Sequence, residues 1–290
     1  MNPGVRLLLI FAGLALSTMD AQQPQLAEPA QPNLPTLWVT GDSTANNADH
    51  RGWGDPLASY FDPAKINVVN RARAGRSSRT FFTEGLWDKV RESLKPGDYV
   101  IVEFGHNDGG APETAPFRGS LPGLGEETQE VAMPNGAKEV VHTFGWYIRK
   151  FVADAKAKGA TPILSSPTIR NIWAGGKVER AMGHFGEWDS EIAKVEKLAF
   201  LDHSNATADV YETMGPEKVK ALFPQDHTHT SVEGADLNAS LVVAALKGVG
   251  SPLVAFLSAK GQAVQSYPTP LDTGIARHLV FRCGVDLSPP

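Results

Sequence analysis

Four short blocks along the chain contain residue types that can work together in nucleophilic catalysis. They are GDST at 41–44, RARAGRSS at 71–78, GHND at 105–108 and DHTHTS at 226–231. A serine hydroxyl becomes an effective nucleophile beside a base, and an attacked carbonyl needs hydrogen-bond donors for the charge that develops on its oxygen. The blocks contain a candidate for each part, so the sequence favours acyl transfer.

Ser43 is the candidate nucleophile, because it follows the first predicted strand and sites in open α/β sheets form at the carboxyl ends of strands. His229 could take the proton of Ser43, and Asp226 could orient the imidazole ring. Two alternatives remain open: Ser43 could cap the next helix, and Asp226, His227 and His229 could bind a metal ion. We expect neither a metal nor another cofactor. The chain has no G-x-S-x-G motif, which argues against an ordinary α/β-hydrolase.

The candidate oxyanion donors are the backbone N–H groups of Ser43 and Gly75 and the side-chain amide of Asn107. Gly75 and Asn107 follow the second and third predicted strands, and a glycine lets its N–H approach a ligand closely. Gly75 could instead be a turn glycine. Asn107 could likewise be a turn residue, because Asn-Asp-Gly-Gly at 107–110 is also a turn signal. We expect His106 to be structural.

Short apolar runs alternate with segments of helical spacing, which is typical of a parallel sheet covered by helices on both faces. The predicted strands are 36–40, 66–70, 99–104, 161–166 and 198–202, and the predicted helices are 82–94, 137–158 and 185–197. The sequence therefore predicts an α/β fold, a three-layer αβα domain with a five-stranded parallel sheet.

A further helix is predicted after Thr230, which forms a T-x-x-E capping box with Glu233. This cap would hold His229 in place at the helix entrance. The segment 109–135 is rich in Gly and Pro and shows no clear period. A loop of this length in a compact domain is usually functional or disordered. A short helix is expected near 253–260.

Composition and charge indicate one catalytic domain. The chain has 290 residues, 42% of them hydrophobic, and a net charge of −5. A pI of about 5.9 argues against a nucleic-acid partner. No linker-like stretch divides the middle, so we assign 36–250 to one hydrolase domain and 251–290 to a C-terminal extension of it.

The N-terminus is typical of a secretory signal. Arg6 precedes the apolar run LLLIFAGLAL at 7–16, which is too short to span a bilayer well. We therefore expect a signal peptide at 1–21, a flexible leader at 22–35, a periplasmic or secreted protein, and no membrane association after signal removal. Cys283 is the only cysteine, so no intrachain disulfide can form and an inert thiol is expected.

The blocks resemble the signature of the SGNH (GDSL) hydrolase superfamily, with Ser43, Gly75, Asn107 and His229 at its four signature positions. More narrowly, the chain is similar to the rhamnogalacturonan acetylesterases. The segments that carry this similarity are GDSTA at 41–45, NRARAGRSSRTF at 70–81, EFGHND at 103–108, RGSLPG at 118–123, HTFGWYIRKFV at 142–152 and DHTHTS at 226–231. The resemblance implies a flavodoxin-like sheet and metal-free removal of acetyl groups from the rhamnogalacturonan backbone of pectin.

Four arginines cluster between 70 and 80 with no acidic residue among them. An arginine fork suits a carboxylate such as that of galacturonate, so Arg76 and Arg79 are candidates for holding substrate. Internal salt bridges are the alternative. Three tryptophans could stack on sugar rings or pack in the core: Trp53, Trp173 and Trp188.

The function predicted from these observations is a serine esterase that deacetylates a pectic polysaccharide or oligosaccharide through an acetyl-enzyme. Two rivals remain at this point. One is another SGNH activity, such as that of a xylan acetylesterase, a lipase or a thioesterase. The other is a catalytically silent carbohydrate-binding protein of the same fold.

Overall fold

The structure is a computed structural model that describes residues 28–180 and 184–267. The predicted signal peptide at 1–21 and the thiol of Cys283 lie outside these residues. Within the described ranges, no helix is both long and apolar enough to cross a membrane.

Strands and helices alternate along the described chain. The strands are β1 (Thr36–Gly41), β2 (Asn67–Asn70), β3 (Tyr99–Glu103), β4 (Thr128–Ala132), β5 (Lys138–His142), β6 (Thr161–Ser165), β7 (Trp173–Ala174), β8 (Lys177–Val178) and β9 (Ala199–Leu201). The α-helices are α1 (Ser78–Thr83), α2 (Leu86–Ser93), α3 (Phe144–Ala157), α4 (Phe185–Glu196), α5 (His203–Met214), α6 (Pro216–Ala221), α7 (Val232–Gly248) and α8 (Ala259–Ala263). Short 3-10 helices lie at 48–50, 56–60 and 252–256.

Five strands form one parallel sheet in the order β2-β1-β3-β6-β9. Counted along the sheet strands alone, this order is second, first, third, fourth, fifth, which is the flavodoxin-like arrangement. All five predicted strands are confirmed, and no strand end differs from its predicted position by more than one residue. The predicted α/β fold class is therefore confirmed.

Alternating side chains along the strands build a core on each face of the sheet. Leu37 and Val39 of β1 belong to a cluster that contains Val242 of α7. Trp38, between them, belongs to a second cluster that contains Phe151 of α3. The two clusters are the interfaces between the three layers.

The carboxyl ends of the parallel strands place the sequence blocks at one edge of the sheet. Gly41 at the end of β1 pairs in register with Glu103 at the end of β3. A Cβ atom on Gly41 would lie 2.7 Å from the carbonyl oxygen of Glu103, so a glycine is needed for this close approach. Because β2, β1 and β3 are neighbours, the segments that carry Gly75, Ser43 and Asn107 leave the sheet side by side.

Two of the predicted helices differ from the structure. The first part of 137–158 is strand β5, which pairs antiparallel with β4 inside the segment predicted to be a loop. Adjacent valines suit this strand, and α3 begins only after Thr143, whose hydroxyl accepts the N–H of Trp146 at 3.1 Å. The predicted helix 82–94 divides into α1 and α2 at Gly85, where φ is +70°.

The described part of the predicted leader is held against the domain. The N–H of Gln31 donates to Oδ1 of Asn67 at 2.9 Å, and Nδ2 of Asn67 donates back to the carbonyl of Gln31 at 2.8 Å. Glu28 pairs with Arg71 at 2.7 Å. These contacts place part of 28–35 against the domain, and the flexibility of the leader stays a prediction.

The tail continues the domain as far as the structure describes it. A 3-10 helix at 252–256 and α8 occupy the region of the predicted short helix. The N–H of Tyr267 donates to the carbonyl of Ala244 in α7 at 2.9 Å, and its hydroxyl donates to Asp209 in α5 at 2.8 Å.

Candidate active site

The turn after β1 presents Ser43 at the carboxyl edge of the sheet. Next to it, the carboxyl group of the buried Asp42 accepts the backbone N–H of Thr44 at 2.9 Å, which fixes the turn on both sides of the serine. Ser43 is 9% exposed, and its Oγ lies 2.8 Å from Nε2 of His229. The first and last sequence blocks are thus in direct hydrogen-bond contact.

A carboxylate lies on the other side of the His229 ring. Nδ1 of His229 is 2.7 Å from Oδ2 of Asp226. The carboxylate has no proton to give, so Nδ1 carries the proton of this contact and Nε2 is left to accept the hydroxyl proton of Ser43. Ser43, His229 and Asp226 therefore form one continuous donor–acceptor chain.

The local hydrogen bonds keep Asp226 ionised. Burial acts to raise its pKa, but hydrogen bonds from the His229 ring and from the backbone N–H groups of His229 and Thr228 outweigh burial and lower the pKa to about 2. The two backbone bonds measure 2.8 and 2.6 Å. A charged acceptor therefore faces the imidazole at neutral pH.

Contacts with distant segments hold the loop that carries His229. The hydroxyl of Thr230 donates to the carbonyl of Arg51 at 2.9 Å. The N–H of Asn171 donates to the carbonyl of His227 at 2.7 Å. The loop is therefore anchored on both sides of the histidine.

The predicted capping residue of α7 is wrong by one position. Ser231 is the N-cap, and its hydroxyl accepts the N–H of Gly234 at 3.2 Å. Thr230 is engaged with a distant carbonyl instead, so the box that was predicted between Thr230 and Glu233 is not the cap. Adjacent hydroxyl residues give similar sequence signals, and only the geometry separates them.

The predicted oxyanion donors lie on segments that contact one another. Nδ2 of Asn107 donates to the carbonyl of Arg76 at 2.9 Å, which fixes the amide and leaves its second N–H for another acceptor. Gly75 has a φ of +78°, where a side chain would be strained. The N–H of Arg73 donates to the carbonyl of Gly41 at 3.0 Å, which holds this segment beside the nucleophile turn.

The sequence left a metal site at Asp226, His227 and His229 as an alternative. Among the described residues, no group of three or more His, Cys, Asp or Glu side chains could hold a metal ion. Asp226 and His229 contact each other as described, whereas the side chain of His227 is exposed.

A model of the GDSL-like lipase/acylhydrolase family matches residues 39–237. The chain belongs to this family. The match includes both the Ser43 turn and the His229 loop, and the resemblance inferred from the sequence blocks is confirmed. This protein is a serine esterase of the SGNH type.

Two curated relatives support the narrower resemblance. A rhamnogalacturonan acetylesterase of Emericella nidulans is 36% identical over 233 residues, which cover 80% of this chain and 90% of the relative. The rhamnogalacturonan acetylesterase RhgT of Bacillus subtilis is 27% identical over 237 residues, which cover 75% of this chain and 91% of the relative.

Solved structures share the fold. The crystal structure of the Bacillus subtilis protein YxiM matches with a TM-score of 0.59 at 26% identity, over 75% of this chain and 57% of that one. The acetylxylan esterase Axe2 of Geobacillus stearothermophilus matches with a TM-score of 0.50 at 20% identity, over 76% of this chain and 95% of that one. The second similarity concerns the fold alone.

Arg79 does not face the active site of the esterase. Its side chain is fully buried, and Nε lies 2.7 Å from Glu139 in β5. Nη1 donates to the carbonyls of Pro112 at 3.0 Å and Gly119 at 2.7 Å. Arg79 therefore ties α1 to the 109–135 segment, and its predicted role in substrate binding is wrong.

Arg76 is also engaged within the protein. Its Nε lies 2.9 Å from the carboxylate of Glu84, and both side chains are partly exposed. The internal salt bridge, which the sequence left as the alternative for Arg76, is the arrangement observed.

The tryptophans of the esterase are mainly packing residues. Trp53 is fully buried, so it cannot stack on a sugar. Trp188 packs against the core cluster between the sheet and α3. Trp173 is half-buried, and its Nε1 donates to Oδ1 of Asn171 at 2.7 Å.

A buried carboxylate that the sequence analysis missed supports the nucleophile turn. Glu103 is 1% exposed and accepts hydrogen bonds from Nε1 of Trp53 at 2.9 Å and the hydroxyl of Thr44 at 3.1 Å. Nδ1 of His203 lies 3.0 Å away and the hydroxyl of Ser165 3.4 Å away. The available signal was a carboxyl group within the apolar run YVIVEF, where a buried polar group requires partners.

Two titratable groups adjoin Asn107 in the sequence, the half-buried His106 and the buried Asp108. Burial lowers the pKa of His106, whose Nε2 lies 3.2 Å from the hydroxyl of Thr168, so this ring is neutral at pH 7. Burial raises the pKa of Asp108 to about 7, although hydrogen bonds from Ser78 and Ser120 oppose the shift. The 2.5 Å contact between Asp108 and the hydroxyl of Ser78 fixes the start of the long segment against α1.

Proposed function

We propose that this esterase removes acetyl groups from a pectic polysaccharide of the rhamnogalacturonan type. The observation that carries the proposal is the continuous hydrogen-bond chain from Ser43 through His229 to Asp226. The two curated relatives named as rhamnogalacturonan acetylesterases support the substrate class.

In the proposed mechanism, Oγ of Ser43 attacks the acetyl carbonyl while Nε2 of His229 takes its proton. The resulting oxyanion accepts hydrogen bonds from the N–H groups of Ser43 and Gly75 and from the amide of Asn107. The bond to the sugar oxygen then breaks, and His229 gives its proton to that oxygen, which leaves as a sugar hydroxyl. A water molecule, activated by His229, hydrolyses the acetyl-enzyme and releases acetate, while Asp226 stays ionised throughout.

The 109–135 segment supplies a surface for the rest of the substrate. A cleft of about 470 Å³ lies along this segment and is lined by Asp108, Pro112, Ser120 and Gln129, among others. Ligand sites commonly have volumes of this order. Because an acetyl group is small, we expect the cleft to hold sugar rather than a long acyl chain.

The test is acetate release from acetylated rhamnogalacturonan, acetylated xylan and a short aryl acetate, measured side by side. We expect a higher kcat/KM for acetylated rhamnogalacturonan than for acetylated xylan. Long-chain esters should be poor substrates. Faster hydrolysis of acetylated xylan would leave the esterase mechanism standing and refute the substrate class. A protein that folds, binds the polymer and releases no acetate from any ester would be the silent binding protein instead.

We also propose that the protein is exported to the periplasm or secreted. The proposal rests on Arg6 and the apolar run at 7–16. Expression of the full chain in a bacterial host, followed by N-terminal sequencing, should show cleavage near residue 21. An intact N-terminus and a cytoplasmic product would contradict it.

A further inference from the structure

The arginines without an ion pair share one location. Most described arginines lie within 4.0 Å of a described carboxylate. Within the described ranges the exceptions are Arg73, Arg118 and Arg170, which we term the flanking arginines. Each of them belongs to a segment that contacts the candidate active site.

Two flanking arginines lie beside the oxyanion glycine. Arg73 follows β2, is exposed, and is held by its N–H to the nucleophile turn as described above. Arg118 reaches back from the 109–135 segment, and its Nη1 lies 3.4 Å from the carbonyl of Gly75. Both positive charges therefore border the site on the β2 side.

Arg170 lies on the other side, in the segment that follows β6. Thr168 contacts His106, and the N–H of Asn171 donates to the carbonyl of His227. Arg170 is thus bracketed between the Asn107 block and the loop that carries the catalytic histidine. Its side chain is half-buried, and Nε is enclosed without a hydrogen-bond partner among the described residues.

The sheet order explains why these charges enclose the site. Ser43 follows β1 and Asn107 follows β3, which are adjacent central strands. Arg73 follows β2 and Arg170 follows β6, the strands on either side of that pair. The positive charges therefore flank the ester position from both directions.

A ligand with carboxylates suits this arrangement. The chain has a net charge of −5, so a polyanionic substrate would be repelled unless local positive charge attracts it. The enclosed Nε of Arg170 lacks a hydrogen-bond partner among the described residues, and a carboxylate bound by the guanidinium fork would supply one.

We propose that Arg73, Arg118 and Arg170 bind galacturonate carboxylates of the polymer on both sides of the acetylated sugar. The proposal rests on the proposed function, because that substrate class supplies the carboxylates. The flanking arginines then determine preference for acidic polymers, while Ser43 and its partners perform the chemistry.

The test compares Arg73→Gln, Arg118→Gln, Arg170→Gln and the triple variant with the wild type. Arg91→Gln is the matched control, because it removes the same charge from α2, where Arg91 pairs with Asp88 at 2.8 Å. The substrates are acetylated rhamnogalacturonan, the same polymer with its carboxylates methyl-esterified, and a neutral aryl acetate. Melting temperatures confirm that each variant is folded.

We expect the KM of the triple variant for the acidic polymer to rise roughly tenfold, the size expected of several partly exposed ion pairs. The kinetics on the methyl-esterified polymer and the aryl acetate should not change, nor should those of Arg91→Gln. Arg170→Lys should recover part of the loss, because it keeps the charge but not the fork. An equal loss on charged and neutral substrates would overturn the proposal.

Binding of an unacetylated oligogalacturonate separates this proposal from the proposed function. Calorimetry should show a roughly tenfold weaker Kd for the triple variant than for the wild type. An unchanged Kd overturns the role of the flanking arginines even if rhamnogalacturonan is the preferred substrate. Faster hydrolysis of acetylated xylan by the wild type refutes the substrate class, whereas the oligogalacturonate Kd still decides whether these arginines bind carboxylates.

Discussion

Replacement of Arg79 tests whether this residue anchors the 109–135 segment, as the structure indicates, or holds substrate, as the sequence suggested. Arg79→Gln leaves Glu139 without its partner and removes the bonds to the carbonyls of Pro112 and Gly119. Breaking a buried ion pair from one side costs about 3–5 kcal/mol. Because Glu139 is 21% exposed, we expect about 3 kcal/mol. At about 2–4 °C per kcal/mol for a protein of this size, the Tm should fall by roughly 6–12 °C.

Thermal and urea unfolding, read by circular dichroism, measure this loss, and the matched control is Arg76→Gln. Arg76 and Glu84 form a partly exposed pair, so the control should lose less than about 1 kcal/mol. Glu139→Gln should destabilise as Arg79→Gln does, and the double variant should lose less than the sum, because the two side chains are in contact. An unchanged Tm for Arg79→Gln, with a raised KM on the acidic polymer alone, would show that Arg79 holds substrate and does not anchor the 109–135 segment.

The other predictions concern the catalytic chain and one buried acid. Ser43→Ala should lose roughly 10³-fold or more in kcat at unchanged Tm; near-normal acetate release by the folded variant would exclude Ser43 as nucleophile. His229→Ala should match that loss, whereas His227→Ala should be mild, because the side chain of His227 lies outside the hydrogen-bond chain; equal losses in both would favour another base. Asp108 has a folded-state pKa of about 7, above the ordinary 3.8, so its contribution to stability is full below about pH 4 and is lost as the pH rises through 7. Urea unfolding from pH 4 to 8 gives the free energy of unfolding at each pH, which should fall more steeply for the wild type than for Asp108→Asn as the pH rises. The same dependence on pH in both proteins would contradict this prediction.

The sheet and the candidate catalytic residues could be predicted because both leave local signals. Buried parallel strands are short, continuous apolar runs, and all five were found on that basis. Ser43 and Asn107 follow strands, His229 precedes a helix, and all three have side chains that the chemistry needs. The order of the strands then brings them together, although Ser43 and His229 are 186 residues apart.

The features that sequence reasoning missed depend on long-range partners. Arg79 and Arg76 lie in one short stretch rich in hydroxyl residues, and the partners that bury Arg79, such as Glu139, are distant in sequence, 60 residues away in that case. The strand β5 is separated from α3 by Thr143 alone, so its boundary is set by its pairing with β4. Glu103 is a lone carboxylate in the sequence, and its four partners, Thr44, Trp53, Ser165 and His203, are distant from it along the chain.

The role of Ser43 as nucleophile is tested most directly by locating the acetyl group on the enzyme. The wild type is mixed with excess aryl acetate, quenched in acid within the first turnovers, digested and mapped by mass spectrometry. We expect a single acetyl group on Ser43, absent from Ser43→Ala and from unreacted enzyme. A stable acetyl group on another residue, together with continued acetate release by Ser43→Ala, would contradict this role.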